Sequence, residues 1–185
     1  RFLTGVGNYT DDINIHGQAH VFFLRSDVAH GTLNNVDTAA AAAMPGVVRI
    51  FTGADFEAVG GMPCGWQVTD KHGQPMQEPR HPILAHGKVR HVGEPIAAVV
   101  ADTLEQARDA AEAIVVDIAE LPAVVNMKAA LADKATKVHD DLTSNLCYDW
   151  GFVEENKAAT DAAFKAAAHV TTLELVNNRL SPNPM

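Results

Sequence analysis

Cysteine is scarce in this sequence. Its 185 residues contain two cysteines, Cys64 and Cys147, and no C-x-x-C pair. Iron–sulfur clusters and structural zinc sites need several closely spaced ligands of this kind, so neither can be built from these two thiols. A single disulfide is possible. Two reduced and partly buried thiols are the better interpretation, because free cysteine usually packs as a small apolar side chain.

Basic residues and long apolar runs are also few. The sequence has 14 Lys and Arg against 23 Asp and Glu, which gives a formal net charge of −9. Nucleic-acid binding needs clustered Lys and Arg, so we expect no nucleic-acid partner. No run approaches the roughly 20 apolar residues that cross a bilayer, so no membrane span is predicted. The chain starts at Arg1 rather than at a Met, which suggests a truncated N-terminus.

The most regular stretch, residues 89–121, predicts a strand, a helix and a second strand. The apolar run 96–101 favours a strand buried on both faces. Thr103 and Gln106 have the spacing of a capping box, which marks a helix start. Apolar residues at helical spacing predict the buried face of that helix: Leu104, Ala107, Ala111 and Ile114. In the second strand Val116 and Ile118 alternate with Asp117 and Ala119, as in a strand with one buried face.

Further elements are predicted on both sides of this unit. Before it we expect strands at 19–26, 29–37 and 47–52, a helix at 38–44 capped by Thr38, and a helical turn at 53–56. After it we expect helices at 127–132 and 160–168, and an unpaired strand at 169–177 that would open another domain. Residues 60–87 are rich in Pro and Gly. A loop of that length is usually functional, mobile or pressed against a neighbour.

No catalytic, cofactor-binding or metal-binding residue can be assigned from the pattern. The nine histidines include no H-E-x-x-H, and surface or hydrogen-bonded histidines are the better interpretation. Gly5-x-Gly7 and Gly60-Gly61 lack the strand-to-helix context of a phosphate loop and are interpreted as turns. Adjacent Asp11 and Asp12 point apart on an extended segment, so a turn or tether is favoured over a pair of catalytic carboxylates.

Two aromatic residues, Trp150 and Phe152, flank Gly151 in a segment without regular periodicity. Aromatic side chains on irregular segments can line a channel or insert into a partner surface. Local packing beneath the segment is the alternative.

Six short segments occur in an order that closely resembles one protein family. They are RFLTGVGNYTDD at 1–12, Arg25-Ser26 with Ala29-His30, MPGV at 44–47, VGEPIAAVVAD at 92–102, LPAV at 121–124 and ELVNNRLSPNPM at 174–185. Together they resemble the N-terminal region of the large, molybdenum-binding subunit of the xanthine dehydrogenase, aldehyde oxidase and aerobic carbon monoxide dehydrogenase family.

The resemblance implies an α+β fold. Residues 1–122 would form an α/β hammerhead domain with a mixed sheet, and residues 123–159 a linker. Residues 160–185 would be the first elements of a truncated molybdopterin-binding domain. In this family the linker passes near the substrate funnel, which makes Trp150 and Phe152 candidates for lining the substrate channel.

The same resemblance implies a molybdenum hydroxylase as the parent protein. It would hydroxylate a heterocycle, an aldehyde or a purine-like substrate with oxygen from water, or oxidise carbon monoxide. Its cofactor would be molybdopterin, in the cytosine dinucleotide form, with 2Fe-2S clusters and FAD on partner subunits or domains. The assembly would be a cytoplasmic homo-oligomer of heterotrimers, with the periplasm left open by the truncated N-terminus.

The family's cofactor loops and catalytic glutamate lie downstream of the matching segments. This chain is therefore expected to be a non-catalytic scaffold that binds no cofactor and packs against the downstream cofactor domains. The alternative is a stand-alone module that uses the hammerhead fold to bind a small molecule or a protein.

Overall fold

The computed structural model of the protein describes residues 2–151 and 156–177. Its strands, in chain order, are β1 (His20–Arg25), β2 (Gly31–Asp37), β3 (Val47–Thr52), β4 (Gly61–Met62), β5 (His81–Pro82), β6 (Lys88–Val89), β7 (Pro95–Ala101) and β8 (Val115–Glu120). Its α-helices are α1 (Ala39–Ala42), α2 (Leu104–Glu112), α3 (Met127–Ala130) and α4 (Lys157–Ala166). Short 3-10 helices cover Phe2–Thr4, Thr10–Asp12 and Gly53–Val59. In this described part, no helix combines the length and the apolar character needed to cross a membrane.

Two three-stranded sheets form the body of the fold, with strand orders β1-β7-β3 and β6-β2-β8. Strands β4 and β5 make a separate two-stranded ribbon. Every pairing among the named strands is antiparallel, so the predicted mixed sheet is wrong. The reason is that α2 carries the chain from the first sheet to the second. A parallel pair would need β7 and β8 to lie side by side in one sheet.

The predicted central unit is confirmed in its main features. Strand β7 is the middle strand of the first sheet and is buried along most of its length. Helix α2 starts with the predicted capping box, in which Thr103 Oγ1 accepts from the Gln106 amide at 3.2 Å. The helix packs on β1 and β7 through small buried side chains: Ala107, Ala110 and Ala111. Leu104 is instead exposed, because it lies at the helix start and borders an open groove.

Two local predictions are corrected by the structure. The strand predicted at 47–52 does not pair regularly, because its pairing with β7 shifts between Val47 and Arg49, and Val48 is 63% exposed. Such a bulge adds one residue to a strand and reverses the faces of its neighbours. Thr38 makes no side-chain cap on α1. The Asp37 carboxylate takes this role instead. Its Oδ1 accepts a hydrogen bond from the amide of Ala39, the first residue of the helix, at 2.9 Å.

The predicted strand at 169–177 is absent, and these described residues are irregular backbone. A strand is stable only when a neighbour takes up its backbone hydrogen bonds, and none of the described strands pairs with this segment. The preceding helix, α4, is confirmed but begins at Lys157 rather than 160. The long segment 60–87, which we call the excursion, is largely irregular but is closed at its base by the β4–β5 pair.

Candidate functional site

Residues 123–151, which follow β8, are called the strap here, because they return across the domain and are bonded to it. The residues that directly precede the strap are bonded to a buried histidine, His30. His30 Nδ1 lies 2.9 Å from the carbonyl oxygen of Pro122, and the His30 carbonyl accepts from the Leu121 amide at 2.9 Å. His30 is buried, so both contacts are shielded from water. The end of β8 is therefore fixed on β2 before the strap departs.

One side chain organises the interior of the strap. Asn145 Nδ2 donates to the carbonyls of Thr136 at 2.9 Å and Ala130 at 3.1 Å. Its Oδ1 accepts from the amide of Val138 at 2.9 Å. A side-chain amide offers two donors and one acceptor oxygen, and all three are used here. The segment is thus a closed, bonded unit.

The first anchor of the strap on the domain is an ion pair between Lys88 and Asp140. Lys88 Nζ lies 2.8 Å from both carboxylate oxygens of Asp140. Lys88 is only 9% exposed, and a buried ammonium is costly unless it is paired. The hydrogen bond from Lys88 lowers the pKa of the Asp140 carboxyl, so this carboxylate is ionised at neutral pH.

Further charged groups surround this anchor. Buried Glu94 accepts a hydrogen bond from the Arg90 amide, and its carboxylate lies 3.8 Å from Arg90 Nη1. The His91 imidazole is 3.9 Å from the same carboxylate. On the strap, burial lowers the pKa of His139, and the nearby Arg90 guanidinium lowers it further. The nearby carboxylate of Asp141 opposes this shift. The strap therefore docks on a polar surface that favours a neutral His139.

The second anchor joins the strap to the excursion. The Lys71 amide donates to the Asp149 carbonyl at 2.9 Å, and Lys71 Nζ lies 2.5 Å from Asp149 Oδ2. The Gln77 amide donates to the Cys147 carbonyl at 2.8 Å. The excursion, which had no assigned role, thus holds the far end of the strap.

An open groove of about 470 Å³ lies between the excursion and the strap. Its walls combine polar and apolar side chains, among them Asp70, His72, Gln77, Leu142, Ser144 and Tyr148. Hydrogen bonds from the amides of Gln74 and His72 lower the pKa of the Asp70 carboxyl, so this wall carries a negative charge. Asp149, which directly precedes Trp150, is one of the residues that line this groove.

The structure describes one of the two predicted channel residues. Trp150 follows the second anchor directly and is 59% exposed. Phe152 lies outside the described residues. Cys64 and Cys147 are free, as expected, but both are exposed, so the expected partial burial is wrong. Their segments are irregular and are held by backbone contacts, with Sγ of Cys147 lying 3.2 Å from the Gln77 carbonyl oxygen.

The remaining candidates have structural roles. Asp12 Oδ2 accepts from the Tyr9 amide at 2.8 Å, which makes a local turn. Gly5 and Gly60 have φ of +73° and +87°, values typical of turn glycines. Within residues 2–151 and 156–177, no three His, Cys, Asp or Glu side chains converge in a way that could hold a metal ion.

Sequence reasoning missed the residues of both anchors. Lys88 and Asp140 are 52 positions apart, and Lys71 and Asp149 belong to two irregular segments. Neither pair has a local spacing that could have revealed it. A lysine directly before the buried Val89 was the one available signal, because a charge beside a core strand needs a partner.

The antiparallel sheets connected by helix α2 form an α/β hammerhead domain. The family profile for "Aldehyde oxidase and xanthine dehydrogenase, a/b hammerhead domain" matches residues 4–122. The chain belongs to this family.

Three relatives illustrate the similarity. The carbon monoxide dehydrogenase large chain of Hydrogenophaga pseudoflava is 32% identical over 197 residues, covering 100% of this chain and 23% of the relative. The crystal structure of quinoline 2-oxidoreductase from Pseudomonas putida 86 has a TM-score of 0.68 and 39% identity, covering 80% of this chain and 18% of the other. A Cu,Mo-CO dehydrogenase structure has a TM-score of 0.69 and 29% identity, covering 91% and 21%. The chain therefore spans about a fifth of the length of these relatives.

Proposed function

We propose that this chain is a non-catalytic scaffold region of the large subunit of a molybdenum hydroxylase. The hammerhead domain fixes the path of the chain that leads towards the cofactor-bearing part of the subunit. The observation that supports this role most directly is the strap, which is held by an ion pair at each of two points, Lys88–Asp140 and Lys71–Asp149. Because the two anchors join the strap to separate parts of the domain, they restrict the path of the chain, as the proposed role requires.

The proposed division of the chain has three parts. Residues 1–122 are the hammerhead domain, residues 123–159 the linker, and residues 160–185 the start of the molybdenum-cofactor domain. The extent of the family match, 4–122, supports the first boundary. Exposed apolar side chains after α4 support the third part, since they suit a surface that is covered in a larger protein: Val170, Leu173, Leu175 and Val176.

The proposed activity of the parent is oxidative hydroxylation of a heterocycle, an aldehyde or a purine-like substrate, or oxidation of carbon monoxide. The names of the relatives support both options. We propose molybdopterin in its cytosine dinucleotide form, with 2Fe-2S clusters and FAD on partner subunits and heterotrimers joined into a homo-oligomer. When bound, molybdopterin would supply the redox chemistry of the hydroxylation.

The described residues of this chain do not fit the metal groups themselves. The two cysteines are exposed on separate segments, and no cluster of metal ligands forms in the part of the chain that the structure describes. No catalytic step is therefore assigned to this chain. Its proposed contribution is structural, together with Trp150 and Phe152 as residues that line the substrate channel. The exposure of Trp150, which directly follows the groove residue Asp149, supports this assignment.

Isolation of the native polypeptide tests the proposal. An antibody raised against this segment would be used to purify it, and intact mass, molybdenum content and co-purifying subunits would then be measured. The expected result is a mass several times 19.7 kDa, bound molybdenum, and partners that carry iron and FAD. A full-length folded protein without molybdopterin would contradict the proposal. A metal-free polypeptide near 19.7 kDa would favour the stand-alone binding module.

A further inference from the structure

Lys71 is bonded to Asp149, which precedes Trp150, and lies close to Gly151, which follows it. Its ammonium is 2.5 Å from Asp149 Oδ2, and its amide donates to the Asp149 carbonyl at 2.9 Å. On the other side, a Cβ at Gly151 would lie 3.8 Å from both Cβ and Cδ of Lys71, so the lysine stem runs along that glycine. The residues before and after the tryptophan thus both lie against Lys71.

Lys71 itself sits on a tight turn. Asp70 Oδ1 accepts from the amides of His72 and Gln74, both at 2.8 Å. The Asp70 amide donates to the Gln74 carbonyl at 2.7 Å, and the Met76 amide to the Val68 carbonyl at 3.0 Å. These bonds close a small hairpin on both sides of the turn. The hydrogen bonds of this hairpin therefore hold the backbone at Lys71 in place.

The contacts of Lys71 with the strap differ in kind. Its backbone amide is bonded to the Asp149 carbonyl, and its stem lies beside Gly151. Its ammonium pairs with the Asp149 carboxylate, and both side chains of this ion pair are about half exposed. Water and salt weaken an ion pair of that kind, so the charge alone contributes only part of the restraint. The stem and the backbone bond supply the rest.

We propose that Lys71 is a positioning residue that fixes the backbone at Trp150 and so limits where the indole can lie. The geometric statement concerns this chain alone. Its consequence for substrate access rests on the proposed function, in which Trp150 lines the channel. The excursion thereby acquires a defined role, because it carries the lysine that orients a residue of the linker.

Tryptophan fluorescence gives a direct readout. The 185-residue chain has two tryptophans, so Trp66→Phe leaves Trp150 as the reporter. In this background we would compare Lys71→Met, which removes the charge, with Lys71→Ala, which also removes the stem. Lys71→Arg keeps both, and Lys134→Met is the matched control at another exposed lysine. Steady-state anisotropy and acrylamide quenching report local motion and access at the indole.

The expected result is graded. Anisotropy falls and quenching rises in Lys71→Met, more strongly in Lys71→Ala, and Lys71→Arg and Lys134→Met match the background. The exchanged pair Lys71→Asp with Asp149→Lys should recover part of the loss, which a purely structural effect of position 71 would not predict. Circular dichroism would verify that each variant is folded, with Asp149→Asn as a second variant should Lys71→Ala unfold.

Unchanged anisotropy and quenching in folded Lys71→Ala and Asp149→Asn would overturn the proposal. Neither signal depends on molybdenum. A native polypeptide without molybdopterin would therefore remove the proposed function while leaving this result intact, and the two failures remain distinct.

Discussion

Lys88 Nζ and the carboxylate of Asp140 form a two-oxygen contact at 2.8 Å in which the lysine is buried and the aspartate side chain is 77% exposed. The two partners therefore face different environments. The lysine depends on the aspartate for its charge compensation, whereas the aspartate can exchange the lysine for water.

Because of this asymmetry, removing the aspartate charge should lower the free energy of unfolding more than removing the lysine charge. Asp140→Asn leaves a buried ammonium without its carboxylate and should lower the free energy of unfolding by about 1–3 kcal/mol, between the values for exposed and buried pairs. Lys88→Met replaces the charge by an apolar side chain of similar length and should cost less. Urea unfolding of both variants measures the difference. Equal losses would show that burial of Lys88 does not control the energetics.

The pH dependence of stability should reflect His139. Burial, and then the charge of Arg90, lowers the pKa of His139 below its ordinary value of 6.5, so the unfolded chain takes up this proton first. Stability should therefore decrease as the pH falls below 6.5, because the unfolded state binds more protons there. Thermal unfolding followed from neutral to mildly acidic pH should show this decrease. The slope should be smaller in His139→Gln, and an identical slope would contradict the assignment.

At more acidic pH, Asp140 adds to the same trend. The hydrogen bond from Lys88 lowers its pKa below 3.8, so its contribution is present above that value and is lost as the pH falls through the lowered pKa. Asp140→Asn should remove this component and leave the one near 6.5.

Asn145 should control the internal order of the strap. Asn145→Ala removes three hydrogen bonds and leaves a partly buried amide and carbonyls without partners, at a cost of about 1–3 kcal/mol. Hydrogen exchange at the Val138 amide, which Asn145 Oδ1 protects, is the measurement. Asn177→Ala, at an exposed position, is the control and should leave that exchange unchanged. Exchange at Val138 that is slow in both variants would show that Asn145 is dispensable.

The centre of β7 should not tolerate a charge. Ala98 is 8% exposed and pairs with Phe23 on one side and Phe51 on the other. Ala98→Asp would bury an unpaired carboxylate among these side chains and should cost several kcal/mol, enough to unfold the domain. Ala119→Asp, at an exposed position of β8, is the matched control. Circular dichroism and thermal unfolding compare them, and an unchanged melting temperature in Ala98→Asp would mean that β7 is not central.

The accuracy of the sequence-based predictions depended on how local each signal was. The strand at 96–101 and the cap formed by Thr103 and Gln106 were predicted correctly, because each depends on a few consecutive residues. The bulge at Val48 was missed, since its cause lies in the pairing with β7. The mixed sheet was wrong for the same reason: no local pattern states which sheet a strand joins.

The candidate site was less accessible still. Trp150 was selected as an aromatic residue on an irregular segment, yet Lys71, which is bonded to its neighbour Asp149, is 79 positions earlier in the sequence. Pairs of opposite charge at such separations are numerous in any sequence. Only the folded backbone decides which of them meet.

The position of β7 between β1 and β3 has a consequence for how the protein is made. Both partners precede β7 in the chain and do not pair with each other, so neither gains its ladder of hydrogen bonds until residue 101 has been synthesised. Nascent chains that end earlier expose unpaired, apolar strand edges at the ribosome, where aggregation is favoured. Release of chains shortened to residue 94 should therefore require chaperone protection, and protection should become dispensable once β7 and α2 have emerged.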